Sequence, residues 1–194
     1  MPPLITVRDH VAWAYANLAR AHAALKDGVV TYRPVHHMIR ARLFKGLSTG
    51  TMLIRSMFDD EREKLLGPRC CEHCGSTEAL SVDHLFARSR SGSDDPQNLV
   101  LACRSCNNSK GAKDLLVWCA TTNQFPSILL LRRYLKIVVS ELEQKNMMDK
   151  SILDACLSDL PFDLQQLPFT YPPLQELQIA VAPRFVCTTT SYSE

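Results

Sequence analysis

The chain lacks any apolar stretch long enough to cross a bilayer. Its longest uninterrupted aliphatic run, around Ile128 to Leu131, falls far short of the roughly 20 residues that a spanning helix needs. An export leader is not indicated either, because Arg8, Asp9 and His10 stand where its apolar segment would lie. There is no internal repeat and no low-complexity tract, which sets aside repeat arrays and disordered tracts. A large net charge is also missing: the formal value is +2. What remains is ordinary for a water-soluble globular protein, with 46% hydrophobic and 22% charged residues. The 194 residues suffice for one moderate domain, or for a small metal-braced module with helical additions.

Cysteine is present in a pattern. Of eight cysteines, Cys71 and Cys74 form one CxxC pair and Cys103 and Cys106 another, while Cys70, Cys119, Cys156 and Cys187 stand alone. A secreted disulfide scaffold would be shorter and more regularly spaced, so the pattern favours zinc and a reducing, cytoplasmic setting. Four thiolates at this spacing can hold Zn²⁺ tetrahedrally, and a fully ligated zinc has no open position for a substrate. The ion would therefore brace the chain, leaving the chemistry to what the brace displays. Cys70 adjoins Cys71, but the two-residue gap to Cys74 is better served by Cys71. His73, inside the first knuckle, reads as a surface residue. Between Cys74 and Cys103 lie 28 residues, more than a plain zinc ribbon needs, and an inserted functional loop explains the surplus. Asp83, His84 and Asn98 sit in that loop, and Asn107 follows directly after Cys106.

Charge is unevenly spread. Residues 1–69 hold eleven Lys/Arg against six Asp/Glu, residues 70–113 hold five of each, and residues 114–194 hold six against nine. A basic N-terminal segment could lie along a phosphate backbone or simply be a solvated helix surface. The same alternatives apply to His36 and His37 with Arg33, Arg40 and Arg42.

Periodicity predicts a helix over residues 7–25, stopped by Lys26-Asp27-Gly28, and a second opened by Pro34 and running to about residue 45. Ser48 to Thr51 offer a cap for a third helix ending at Gly67-Pro68. Residues 80–82 and 99–102 are the short strand candidates, able to pair as a ribbon. The chain turns helical again through residues 113–120. A long amphipathic helix follows over residues 127–147, with a shorter one over 151–159. Five prolines beyond Leu160 suggest an irregular arm that wraps the body or frays. Trp13, Tyr15 and Trp118 read as core anchors.

The ordered series CxxC…DH…N…CxxCN…K, from Cys71 to Lys113, resembles the HNH endonucleases, the ββα-metal nuclease superfamily, in their four-cysteine zinc-binding form. It spans under a quarter of the chain. The resemblance implies an α+β, mainly α-helical fold: a ββα-metal HNH module braced by a four-cysteine zinc site and flanked by N- and C-terminal helices. The matching division is a helical region over 1–69, the nuclease module over 70–120, and a helical region with an irregular tail over 121–194.

The function implied is metal-dependent hydrolysis of DNA phosphodiester bonds, with double-stranded DNA as partner. Such cleavage needs an activated water and a cation to neutralise charge building on the phosphate. Asp83 and Asn107 offer hard oxygen ligands suited to Mg²⁺ or Mn²⁺, and by resemblance they hold one divalent ion. His84, the adjacent residue of an extended segment, faces the other way and takes the place of the family's general base. Asn98 matches the central asparagine and would position the loop. Asn107 stands where many members carry a final histidine, which makes this an HNN variant. Lys110, Arg88 and Arg90 are candidate phosphate contacts. The competing reading is a non-catalytic, zinc-braced module that binds nucleic acid or protein within a larger assembly. The apolar stripe of the long helix could serve core packing, a homodimer or a partner subunit.

Overall fold

The computed structural model describes residues 2–54, 56–153 and 160–184. Within them the fold is α+β and mainly helical, with six α-helices and one two-stranded antiparallel sheet. No described helix is long and apolar enough to cross a membrane.

Helix α1 (Val7–Lys26) starts in a capping box: the Thr6 hydroxyl accepts from Asp9 N–H, and the Asp9 carboxylate accepts from Thr6 N–H. It stops at Asp27, after which Gly28 takes φ +64°, a conformation that glycine adopts without steric cost. Pro34 occupies the first turn of α2 (Pro34–Ser48), which packs along α1. The third helix begins later than expected. α2 runs through Ser48, so the Ser48–Thr51 stretch ends a helix instead of starting one, and Gly50 at φ +71° turns the chain. Helix α3 (Phe58–Leu66) opens instead on Asp59, Asp60 and Glu61, which complement the positive end of its dipole.

The module is built from β1 (Leu80–His84), β2 (Leu99–Cys103) and α4 (Arg104–Lys110). The strands pair with Asp83 opposite Val100 and His84 opposite Leu99. The next helix, expected over 113–120, is α5 (Leu115–Thr121). Gly111 at φ +52° separates it from α4, and Asp114 caps it, accepting from Leu116 and Val117 N–H. The second Asp114 oxygen accepts from Tyr134 Oη at 2.7 Å, which ties α5 to α6 (Ile128–Gln144).

Helix α6 organises the core. Leu131, Tyr134, Leu135, Val138 and Leu142 are fully buried at helical spacing and meet Val7, Val11, Ala14, Leu18 and Ala21 of α1 in one cluster. Each such leucine contributes about 1.5–3 kcal/mol relative to exposure. Phe86, just past β1, stacks on Tyr134 at 4.8 Å and so docks the loop after His84 onto α6. Trp118 is buried as expected, and Trp13 packs edge-on against Phe44. His36 is buried against Asp27 at 2.9 Å, not part of a solvated face.

The C-terminal arm wraps the body through Arg184. Leu160, Phe162, Leu164, Leu167, Leu174 and Leu177 enter the main core, and Gln178 and Ile179 carbonyls accept from Ile128 and Leu129 N–H at the start of α6. Farther on, Arg184 N–H donates to Gly75 O in the first knuckle. The helix expected over 151–159 falls mostly on residues 154–159, outside the described residues.

Candidate active site

The two knuckles converge. The sulfurs of Cys71, Cys74, Cys103 and Cys106 lie within 4.8 Å of one another, and Cys74 Sγ is 3.7 Å from Cys103 Sγ. Thiolates about 2.3 Å from a tetrahedral zinc have sulfurs nearly that far apart, so the cluster fits the ion. The turn chemistry brings them there: Gly75 N–H donates to Cys71 O with Gly75 at φ +80°, and Cys106 N–H points at Cys103 Sγ. Burial raises the Cys74 and Cys106 thiol pKa values, with neighbouring thiols adding to the effect on Cys106. Cys103 is buried too, yet it is lowered because Cys106 N–H and the neighbouring thiols donate to it.

Cys103 ends β2 and caps α4, so the brace fixes the angle at which α4 lies on β1. From that helix Asn107 donates through Nδ2 to Ser81 Oγ at 3.1 Å and to Val82 O at 3.5 Å. This orientation leaves its amide oxygen accepting no hydrogen bond among the described residues, as a cation ligand requires. Ser81 and Asp83 share a face of β1, so Asn107 lies over the side that carries Asp83.

Asp83 is buried, its side chain 6% exposed. Lys110 Nζ reaches Oδ1 at 3.3 Å and Oδ2 at 3.2 Å, and donates to His84 O at 2.6 Å. The expectation that Lys110 is an exposed phosphate contact does not fit this placement. Its side chain is 0% exposed because α4 turns this residue inward onto β1. His73 is likewise no surface residue: its side chain is 2% exposed, its ring meets Trp118 edge-on at 5.0 Å, and Nε2 stands 3.5 Å from Asp83 Oδ2. Both of those atoms are buried without a hydrogen-bond partner.

His84 ends β1, partly exposed, with Nε2 2.8 Å from Asp94 Oδ1. The same oxygen meets Arg88 Nε at 3.3 Å. Arg88 is therefore an ion-paired residue beside the histidine, while Arg90, in the same 3₁₀ turn, is exposed. Asn98 is buried and spends its side chain on the loop after His84. It accepts from Phe86 N–H and donates to Phe86 O and Ser93 O, while its backbone carbonyl accepts from Leu85 N–H. The spacing of residues gave no sign of Asp94 or His73. Both lie close to motif residues only once the loop folds back and the knuckle closes.

Residues 71–113 match the family model for HNH endonuclease. No curated protein and no solved structure matches the chain. The chain thus carries an HNH-type segment with four cysteines positioned to bind a metal, which indicates a nuclease-type, nucleic-acid-binding module.

Proposed function

We propose that the protein hydrolyses DNA phosphodiester bonds with the help of one divalent cation, Mg²⁺ or Mn²⁺. The observation that carries this reading is the orientation of His84. Its Nε2 is engaged by Asp94, which fixes the ring and leaves Nδ1 as the proton acceptor. In the step proposed, His84 Nδ1 takes a proton from water as the water oxygen bonds to phosphorus. The bond from phosphorus to the 3′ oxygen breaks, and that oxygen is protonated from solvent, leaving 5′-phosphate and 3′-hydroxyl ends.

Asp83 and Asn107 are the residues that would hold the cation. Their donors suit it: a carboxylate with one oxygen lacking a hydrogen bond, and an amide oxygen kept open by its own nitrogen's bonds. When bound, the cation neutralises charge building on the phosphate. Asn98 keeps the loop behind His84 in shape, and the four cysteines hold structural zinc. Arg88 and Arg90 flank the site as phosphate contacts.

A second reading, a zinc-braced binding module without catalysis, is favoured by one observation. Lys110 already neutralises Asp83 in a buried pair. Incubating supercoiled plasmid with the zinc-loaded protein and Mn²⁺ or Mg²⁺, beside the His84→Ala protein, separates the two. Nicked or linear product from the parent alone supports the nuclease. Equal product from both rejects His84 as base, and no product with either ion favours the binding module.

A further inference from the structure

The α1–α2 hairpin carries an unusual concentration of unneutralised cations. From Arg33 to Lys45 the sequence contains no Asp or Glu, but four basic residues: Arg33, Arg40, Arg42 and Lys45. Arg20 of α1 joins them. Among the described residues none of these five has a carboxylate within 4.0 Å, and the acid at the hairpin turn, Asp27, is taken by His36. By contrast, α6 pairs each of its three cations: Arg132, Arg133 and Lys136 all hold a carboxylate.

Two of the hairpin guanidinium groups are fixed on aromatic faces instead. Arg20 lies 4.2 Å from the Tyr32 ring centre and Arg40 lies 4.8 Å from that of Trp13. Such stacking holds a guanidinium in place without discharging it. The crowding of like charge registers on the residues themselves. Arg40 is held below the ordinary arginine value by burial and by Arg20, and His37 is depressed by burial, then by Arg40, Arg20 and His36. Like-charge crowding works against folding, and an anion arriving at this face relieves it.

We propose that the exposed face of α2, with Arg33, Arg42 and Lys45, docks the phosphate backbone of double-stranded DNA outside the HNH module. The proposal rests on the reading that DNA is the substrate. Helix α2 is about 22 Å long at 1.5 Å per residue. Duplex DNA carries one charge per roughly 1.7 Å of axis with both strands counted, so the matching length holds on the order of ten phosphates, of which the helix meets those on one side. Arg33 stands at the N-terminal end of this face and Arg42 and Lys45 lie toward the other, so positive charge meets the phosphates at both ends. An anionic membrane fits less well, since binding in its plane needs a continuous apolar face. Here Phe44 and Leu47 turn toward the protein, while the exposed Val35 and Met38 are interleaved with His37, Arg42 and Lys45.

The test uses the full-length, zinc-loaded protein carrying His84→Ala, a fluorescein-labelled duplex, and anisotropy across a range of salt concentrations without divalent ions. Neutralising the face with Arg33→Gln, Arg42→Gln and Lys45→Gln should reduce the slope of log K against log salt by about 2–3, at ~0.9 per phosphate contact. Arg62→Gln with Lys150→Gln, exposed cations elsewhere, should leave the slope unchanged. Arg33→Lys with Arg42→Lys, which keeps the charge, should retain binding. An unchanged slope in the neutralised protein overturns the proposal, as does binding to phosphatidylserine vesicles in place of the duplex, or no binding to either. Metal-dependent cleavage by the His84-containing protein would still stand after such a failure. Salt-dependent binding through α2 without cleavage would instead sink only the catalytic reading.

Discussion

Nε2 of His73 stands 3.5 Å from Oδ2 of Asp83, and both side chains are buried. His73 belongs to the first zinc knuckle and Asp83 to β1, so this contact joins the metal brace to the carboxylate assigned to the cation. Lys110 closes the same carboxylate from α4 at 3.2 Å. Three elements thus meet at one buried acid.

That meeting sets a stability prediction. Removing one partner of a buried ion pair leaves the other charged and unsatisfied, a loss of about 3–5 kcal/mol. Asp83→Ala is expected to lower the unfolding free energy of the zinc-loaded protein by about that amount. Adding Lys110→Met should recover much of it, because the orphaned ammonium is then gone. Urea unfolding of the two variants and the parent measures this. Equal stability of the single and double variants would show that the pair is not coupled.

Zinc release should follow acidity. Burial holds the Cys74 and Cys106 thiols above their ordinary values in the absence of metal. Zinc binding must therefore expel protons, and its affinity rises with pH and falls as the solution is acidified. Competition with a chromogenic chelator across a pH series reads this directly. Cys71→Ser should weaken binding throughout. It should also loosen β2 and α4, which meet at Cys103, while α1 and α6 keep their shared core.

Much of the architecture is written in local signals. The extent of α1 follows from its periodicity and its stop at Lys26-Asp27-Gly28, and the strand pair follows from two short apolar runs between turn residues. Four cysteines in two pairs gave the metal cluster. The failures share one cause, which is that burial is decided by tertiary contacts. Lys110 has the spacing of an exposed helix residue, yet α4 lies on β1 and turns it inward. His73 looks like knuckle filler until Trp118 of α5 covers it. Asp94 comes within 2.8 Å of His84 only because the loop between them folds back, through a 3₁₀ turn at Arg88–Arg90. The late start of α3 reflects competition for Ser48, which α2 wins.

Glu61 gives the fold an acid-sensitive point. Burial pushes its carboxyl up, but hydrogen bonds and charge from Lys64 and Arg133 outweigh this and hold it below the ordinary glutamate value. A depressed native value means that the unfolded chain binds the proton more readily. The stabilisation is therefore complete above the unfolded value of about 4.3 and is lost as pH falls through the native one. Arg133 and Lys64 also connect α6 and α3 to the Gln97 and Leu99 carbonyls beside Asn98. Glu61→Gln should flatten the acid limb of stability against pH, measured by urea unfolding from neutrality downward. A limb as steep as the parent's would exclude Glu61 as a source.

Asp94 should act on the reaction without touching the substrate. Its carboxylate accepts from Nε2–H of His84, which keeps the proton on that nitrogen and leaves Nδ1 unprotonated, as the proposed base requires. Residues that orient a functional imidazole in this way typically change activity by about 10–100-fold when removed. Asp94→Ala is accordingly expected to slow Mn²⁺-dependent nicking by at least about tenfold. The Mn²⁺ concentration giving half-maximal rate should stay where it is, since among the described residues Asp94 pairs with His84 and Arg88 and not with Asp83 or Asn107. Asp94→Asn can still accept through its amide oxygen and should restore most of the rate. A shift in Mn²⁺ dependence would instead mark Asp94 as part of the cation site. Equal rates for Asp94→Ala and the parent would mean that the histidine needs no such anchor.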